Sequence, residues 1–149
     1  MKRASGFTMI DVLIVLAIMA VLAVIAYPAY AGYITKSRRI EGQIALIEAL
    51  QQQERYYSAH NTYIAFSSAS TDEEERRFKW WSGAAAARSA YELRAYPCSG
   101  QELTQCVEVR ATPGTDKVDA RFRDADCETL TLNSAGERGA SGPMERCWP

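Results

Sequence analysis

Between Val12 and Thr35 the chain runs for 24 residues without a charged side chain, and from Val12 to Ala26 every residue is apolar. A helix needs about 20 such residues to cross a hydrocarbon core, and the run is too long for a strand. We therefore read it as a membrane-spanning helix. The chain as a whole holds 17 basic and 18 acidic residues, a net charge of −1. That balance argues against a bulk electrostatic grip on nucleic acid. It is very unevenly spread: of the 35 charged residues, 32 lie beyond residue 35. Lys2 and Arg3 precede the apolar run, which orients that end to the cytoplasm and sends everything after Tyr33 to the far side.

Such a segment has three fates. A removable secretory signal would use Ala29-Tyr30-Ala31 as a small-x-small cleavage site, but the apolar stretch exceeds the usual ~7–15 residues. A plain membrane anchor leaves Asp11 unexplained. An aspartate among apolar neighbours costs roughly 2.5–3.5 kcal/mol on insertion scales, so it calls for a partner or an interfacial position. Pro28, late in the run, lacks an N–H and disturbs a helix interior.

Residues Lys2-Arg3-Ala4-Ser5-Gly6-Phe7-Thr8-Met9-Ile10-Asp11-Val12-Leu13 resemble the leader and cleavage motif of the type IV pilin family. There, a short basic leader ends in glycine, then phenylalanine, Thr-Leu-Ile-Glu and a hydrophobic helix follow. The resemblance implies a leader of residues 1–6, cut by prepilin peptidase between Gly6 and Phe7, with N-methylation of Phe7. It implies a transmembrane and polymerisation helix over residues 7–33 and an extracytoplasmic head over 34–149. Asp11 falls where the family carries glutamate, and Met9 where it carries leucine. Cleavage creates an α-amine with a pKa of about 7.7–8.0, which a carboxylate of a neighbouring subunit would neutralise in an apolar bundle. Pro28 falls where filaments of the family loosen their helix.

Past Tyr33, Ile40, Ile44, Ile47 and Leu50 recur at helical spacing, and Arg39, Glu41, Gln43, Glu48 and Gln52 are assigned to the opposite face. One helix from Phe7 to about Tyr57 would span roughly 76 Å. Leu46 lies beside the isoleucines, the second half of the helix can cover a sheet, and His60-Asn61-Thr62 is expected to end it. Next comes a long connection with Asp72-Glu73-Glu74-Glu75 followed by Arg76-Arg77-Phe78-Lys79-Trp80-Trp81. We read it as a short, ion-paired helix and a solvated face rather than a calcium loop, whose alternating ligands it lacks. Trp80-Trp81 reads as a loop anchor more than a stacking surface. Residues 89–96, 106–111, 118–123 and 128–132 alternate with period two, predicting a small antiparallel sheet with hairpin connections. The fold class is α+β, a long N-terminal helix on a small sheet.

Cys98, Cys106, Cys127 and Cys147 lie in the exported part, where oxidation is expected, and do not have zinc spacing. Of three pairings, we favour Cys98–Cys106 between adjacent strands and Cys127–Cys147 closing the C-terminal loop. The C-terminal segment, from Cys127-Glu128-Thr129-Leu130-Thr131-Leu132-Asn133 to Cys147-Trp148, is likewise similar to the heads of Gram-negative pilins.

These residues contain no nucleophile–base pair and no phosphate loop, and the lone His60 leaves little for acid–base work. No enzyme, cofactor or metal is expected. The resemblance implies a major or minor pilin that waits in the inner membrane of a Gram-negative bacterium and is then assembled into an extracellular pilus. Its partners would be other pilin subunits, prepilin peptidase and the inner-membrane assembly machinery. The functions implied are adhesion, twitching motility or DNA uptake. Two alternatives stand beside this: a pseudopilin of type II secretion, and a DNA-uptake pilin that binds DNA through its head. The head from Tyr56 carries 11 basic and 14 acidic residues, so DNA contact needs a local stripe. The candidates are Arg76, Arg77, Lys79, Arg88, Arg94 and Arg121.

Overall fold

The computed structural model describes residues 8–149, and of residues 28 and 29 the backbone only. The chain divides into two units, Met1–Lys36 and Ser37–Pro149. Helix α1 runs over Met9–His60 and continues through Pro28. In the first unit its apolar side chains have no cover: Met9, Leu16, Leu22 and Ile25 are all more than half exposed. The helix is long and apolar enough there to cross a membrane. Asn61, at φ 54°, ends it, its N–H donating to the Tyr57 carbonyl at 2.8 Å. A left-handed residue directly after the last turn is a common helix stop, and asparagine tolerates it.

In the second unit, residues 37–60 of α1 pack against an antiparallel sheet of four strands in the order β1 (Tyr91–Pro97), β2 (Val107–Pro113), β3 (Leu130–Asn133) and β4 (Arg138–Ala140). The register sets Leu93 opposite Ala111, Ala95 opposite Val109 and Val109 opposite Leu132. With period-two alternation, this puts Leu93, Val109, Ala111, Leu130 and Leu132 on one face, all buried. A short helix α2 (Glu73–Arg76) lies in the α1–β1 connection. Asp72 caps it, accepting from the Glu74 and Glu75 N–H groups at 2.9 and 3.3 Å. Trp80 and Trp81 meet edge to face at 5.1 Å and lay the connection along the free edge of β1. The Leu93 N–H donates to the Trp80 carbonyl at 2.7 Å, and Ser82 N–H to that of Tyr91 at 3.1 Å.

The face of α1 that meets the sheet is not the isoleucine face. Ile40, Ile44 and Ile47 are 46, 52 and 38% exposed, while Arg39, Gln43, Ala45, Leu46, Ala49 and Gln53 are buried. Each buried polar residue has a designated partner. Arg39 meets Asp124, Gln43 donates to the Cys147 carbonyl at 2.5 Å, and Gln53 holds both the N–H and the carbonyl of Ile64, at 3.0 and 2.6 Å. Buried polar groups satisfied this way cost little, and small alanines allow close approach. Gly42 sets the closest approach, since a Cβ there would lie 2.8 Å from the Tyr91 ring. Alanine gains about 1 kcal/mol of helix propensity but overpacks by about 1–3 kcal/mol. We expect Gly42→Ala to lower the head's melting temperature; an unchanged or raised value would remove this packing constraint.

Two strand expectations change. Val118–Arg123 is a series of turns, not a strand. Val118 is buried and Phe122 packs edge to face on Tyr91 at 5.4 Å, which accounts for the alternation. The edges of β2 are taken by β1 and β3, and the outer edge of β1 by bridges to Phe66 and Trp81, so the segment after β2 does not pair there. Its N–H groups turn inward instead, with Phe122 on Asp119 and Asp119 on Ser89. Conversely β4 lies in the glycine-rich tail, where Gly139 faces Thr131 so closely that a Cβ would meet its hydroxyl at 2.6 Å.

Candidate functional site

Three places in the chain have candidate roles: the start of α1, the cystine-closed loop that grips its second half, and the basic residues of the α1–β1 connection. Gly6 and Phe7, the expected processing point, lie outside the described residues.

At the start of α1, Thr8 and Asp11 form a reciprocal cap. The Thr8 N–H and hydroxyl donate to Asp11 Oδ2 at 2.9 and 2.7 Å, and the Asp11 N–H returns to the Thr8 hydroxyl oxygen at 3.4 Å and to the Thr8 carbonyl at 3.1 Å. This is the capping-box arrangement with aspartate in place of glutamate. The same carboxylate also favours the positive end of the helix dipole. Oδ1 has no hydrogen bond among the described residues.

The sulfurs are bonded Cys98–Cys106 and Cys127–Cys147. The first ties the end of β1 to the start of β2. The second encloses β3 and β4, and loop-closure entropy alone makes a bridge of its 20-residue span worth about 3 kcal/mol. Just before Cys127 stands Asp124, whose side chain is fully buried. Its carboxylate accepts from Arg39 Nε at 2.8 Å, Arg39 Nη2 at 2.6 Å and the Tyr91 hydroxyl at 2.5 Å. Asp126 adds a second acid to Arg39 at 3.2 Å. One buried fork thus joins the helix, β1 and the cystine loop, with the bidentate geometry arginine favours.

Burial pushes the Asp124 carboxyl up, but the Arg39 and Tyr91 donors outweigh it and hold it below the usual carboxylate range. Burial and the Asp124 hydrogen bond push the Tyr91 hydroxyl well above its ordinary value. The lowered acid stabilises the fold above its unfolded pKa of about 3.9, and that stability is lost as pH falls through the lower folded value. The raised phenol stabilises below its unfolded value of about 10 and loses that as pH rises through its folded one. We expect head stability to be flat from about pH 5 to 9. Chemical denaturation at several pH values checks this, and Asp124→Asn should flatten the acid limb.

The basic residues divide. Arg77 pairs with Glu73 and Glu74 at 3.5 and 3.3 Å, Arg94 with Glu92 at 3.0 Å, and Arg121 stands 3.8 Å from Asp119. Arg76, Lys79 and Arg88 have no acid within 4 Å among the described residues. Lys79 lies over the Trp81 ring at 5.8 Å. It also lines two grooves against α1, one of about 300 Å³ with Arg55 and Gln52, the other of about 750 Å³ with Arg38 and Ile44. Arg38 and Arg55 were not among the sequence candidates. Their signal was present: positions 38, 41, 45, 48, 52 and 55 form a 3.5-residue stripe along α1. Two glutamates in that stripe, Glu41 and Glu48, also line the second groove, and Glu48 lines the first as well.

A helix whose first half is apolar and uncovered, capped by an acid in its first turn, with a disulfide-closed four-stranded sheet against its second half, is the architecture of a type IV pilin subunit. The chain belongs to the family described as type IV minor pilin ComP, DNA uptake sequence receptor, whose family model matches residues 28–131. Residues 1–27 match the prokaryotic N-terminal methylation motif. Among solved structures, a type IV pilin from Shewanella oneidensis is 24% identical, with 77% of this chain and 98% of that one covered and a TM-score of 0.47. No curated protein matches the chain.

Proposed function

We propose that this chain is a minor pilin that carries DNA contacts on a pilus, with its head as receptor and its N-terminal helix as the assembly element. The observation that supports the receptor role most is the family match over residues 28–131, a span that includes Arg38, Arg55, Arg76, Lys79 and Arg88. In this reading Lys79 and Arg55 take phosphates from either side of their shared groove, and Arg76 and Arg88 extend the stripe. Arg38, Arg77, Arg94 and Arg121 contribute less, because each already has an acid beside it. Phosphate contacts position the duplex and supply a salt-dependent affinity.

The assembly role rests on residues 1–27. Prepilin peptidase removes residues 1–6, Phe7 becomes the methylated terminus, and residues 7–33 hold the subunit in the inner membrane of a Gram-negative cell before polymerisation. Asp11 Oδ1 then receives the α-amine of a neighbouring Phe7. The head, residues 34–149, becomes part of the extracellular fibre and performs no catalysis. Partners are other pilins and the assembly machinery.

Fluorescence anisotropy with duplex DNA and the full chain in zwitterionic detergent tests the receptor role. Affinity should fall steeply with salt, and the Arg55→Gln/Lys79→Gln chain should lose about one unit of log–log salt slope per phosphate contact removed. An identical slope in that variant removes the groove from the interface, and no binding at low salt removes the receptor role.

A further inference from the structure

The outer face of the sheet lies outside the proposed DNA groove and carries a cavity of about 300 Å³. Glu92, Arg94, Tyr96, Arg110, Thr112 and Thr129 line it. The strand register explains why they converge: Glu92 lies opposite Thr112, Arg94 opposite Arg110, and Tyr96 opposite Glu108. Like charges directly across a strand pair repel, so an Arg–Arg pair is not a choice made for stability. Each guanidinium is held by an acid of its own strand, Arg94 by Glu92 at 3.0 Å and Arg110 by Glu108 at 2.6 Å. Tyr96, 38% exposed, has the Arg110 guanidinium 5.2 Å from its ring centre.

Glu92 is the second anomaly. It is 1% exposed, and its Oε1 accepts from the Ser68 hydroxyl at 2.7 Å and from Arg94 Nε at 3.0 Å. Its Oε2 is buried with no hydrogen-bond partner among the described residues. Thr115, which also lines the cavity, joins Ser68 and Arg94 in holding this carboxylate in its charged form against the cost of burial. A buried carboxylate oxygen left without a donor is costly, and a ligand hydroxyl would relieve that cost.

The inventory is therefore a buried carboxylate with one oxygen outside hydrogen-bond geometry, two guanidinium forks, an aromatic ring and several threonine hydroxyls. Two arginines against two glutamates sum to zero, and one of the glutamates is inside. A phosphate drawn by the arginines would meet these carboxylates, so a polyanion fits poorly. A neutral ring bearing adjacent hydroxyls fits well. Its hydroxyls can donate to Glu92 and accept from Arg94 or Arg110 together, while its C–H face lies on Tyr96. The volume is at the small end of ligand cavities, enough for about one or two such rings. We propose that this face binds a neutral pyranose, one ring of a glycan, between β1 and β2. The inference is independent of DNA binding by the head.

NMR of the isotopically labelled full chain in phosphocholine detergent, which has no sugar headgroup, tests it. Glucose, galactose, mannose and N-acetylglucosamine would each be titrated to millimolar concentration, with a short single-stranded oligonucleotide as a competing ligand. The expected result is that at least one sugar shifts the amides of Glu92, Tyr96, Arg110 and Thr112 and leaves Leu46 in place. Arg110→Gln, at an exposed position, should weaken that sugar about tenfold or more without changing the fold, as judged by the unshifted core amides. The proposal is overturned if no sugar moves these amides, if Arg110→Gln binds sugar unchanged, or if only the oligonucleotide moves them, which makes the face a nucleic-acid surface.

Discussion

Asp124→Ala should destabilise the head by about 3–5 kcal/mol, the usual cost of removing one partner from a buried ion pair. The loss is large because two groups are stranded at once. The Arg39 side chain is only 9% exposed, and the fully buried Tyr91 would keep its hydroxyl with no acceptor. Asp126 cannot substitute, since its own side chain is 65% exposed and reaches Arg39 by a single contact. Replacing both ends with apolar groups, as in Arg39→Met/Asp124→Leu, should recover much of the loss. Denaturant titration of the chain in detergent measures both variants. If Asp124→Ala costs under about 1 kcal/mol, the fork is not what clamps the cystine loop to the helix.

The second large effect is on assembly. Asp11→Ala should insert in the membrane normally and enter fibres at least about tenfold less, the effect of leaving one α-amine unpaired among apolar helices. The local cap complicates a simple deletion, because Asp11 also serves Thr8. A lost cap is worth only about 1 kcal/mol and would act before assembly, on the single helix. Asp11→Asn separates the two, keeping an acceptor for Thr8 but removing the charge. We expect Asp11→Asn to fail like Asp11→Ala and Asp11→Glu to assemble, read as the ratio of sheared-fibre to membrane protein. Normal assembly of Asp11→Asn would leave capping as the residue's whole role.

How much of this was legible in the residues follows from what each signal encodes. The long uncharged run and the turn at Asn61 are local properties, and the helix Met9–His60 follows them closely. Strand alternation located β1, β2 and β3 to within about two residues because those strands bury one face each. It misled at Val118–Arg123, where a buried Val118 and a half-buried Phe122 mimic a strand but the backbone turns inward instead of pairing. It missed β4, a three-residue edge strand with a central glycine and no apolar signal. The helix face was legible only in part, for a tertiary reason. Periodicity groups Ile40, Ile44, Ile47 and Leu50 with Leu46, and of these Leu46 and Leu50 reach the core, whereas Arg39, Gln43 and Gln53 are drawn in by partners 11 to 104 residues away in sequence. An isoleucine stripe left outside is what a subunit that packs in a fibre can use. The basic residues were found by type, but which of them keep an unshared charge depends on neighbours such as Glu92 that only the register brings near.

The central claim is that the same molecule is both a pilus subunit and a DNA receptor. Co-sedimentation of labelled duplex DNA with fibres sheared from cells, over a series of salt concentrations, tests both halves together. The account predicts that the chain is present in those fibres with N-methylated Phe7 at its terminus. It also predicts that DNA sediments with them at low salt, is released as salt rises, and is retained poorly by fibres carrying Arg55→Gln/Lys79→Gln. Fibres that contain the processed chain but hold no more DNA than fibres lacking it would contradict the account.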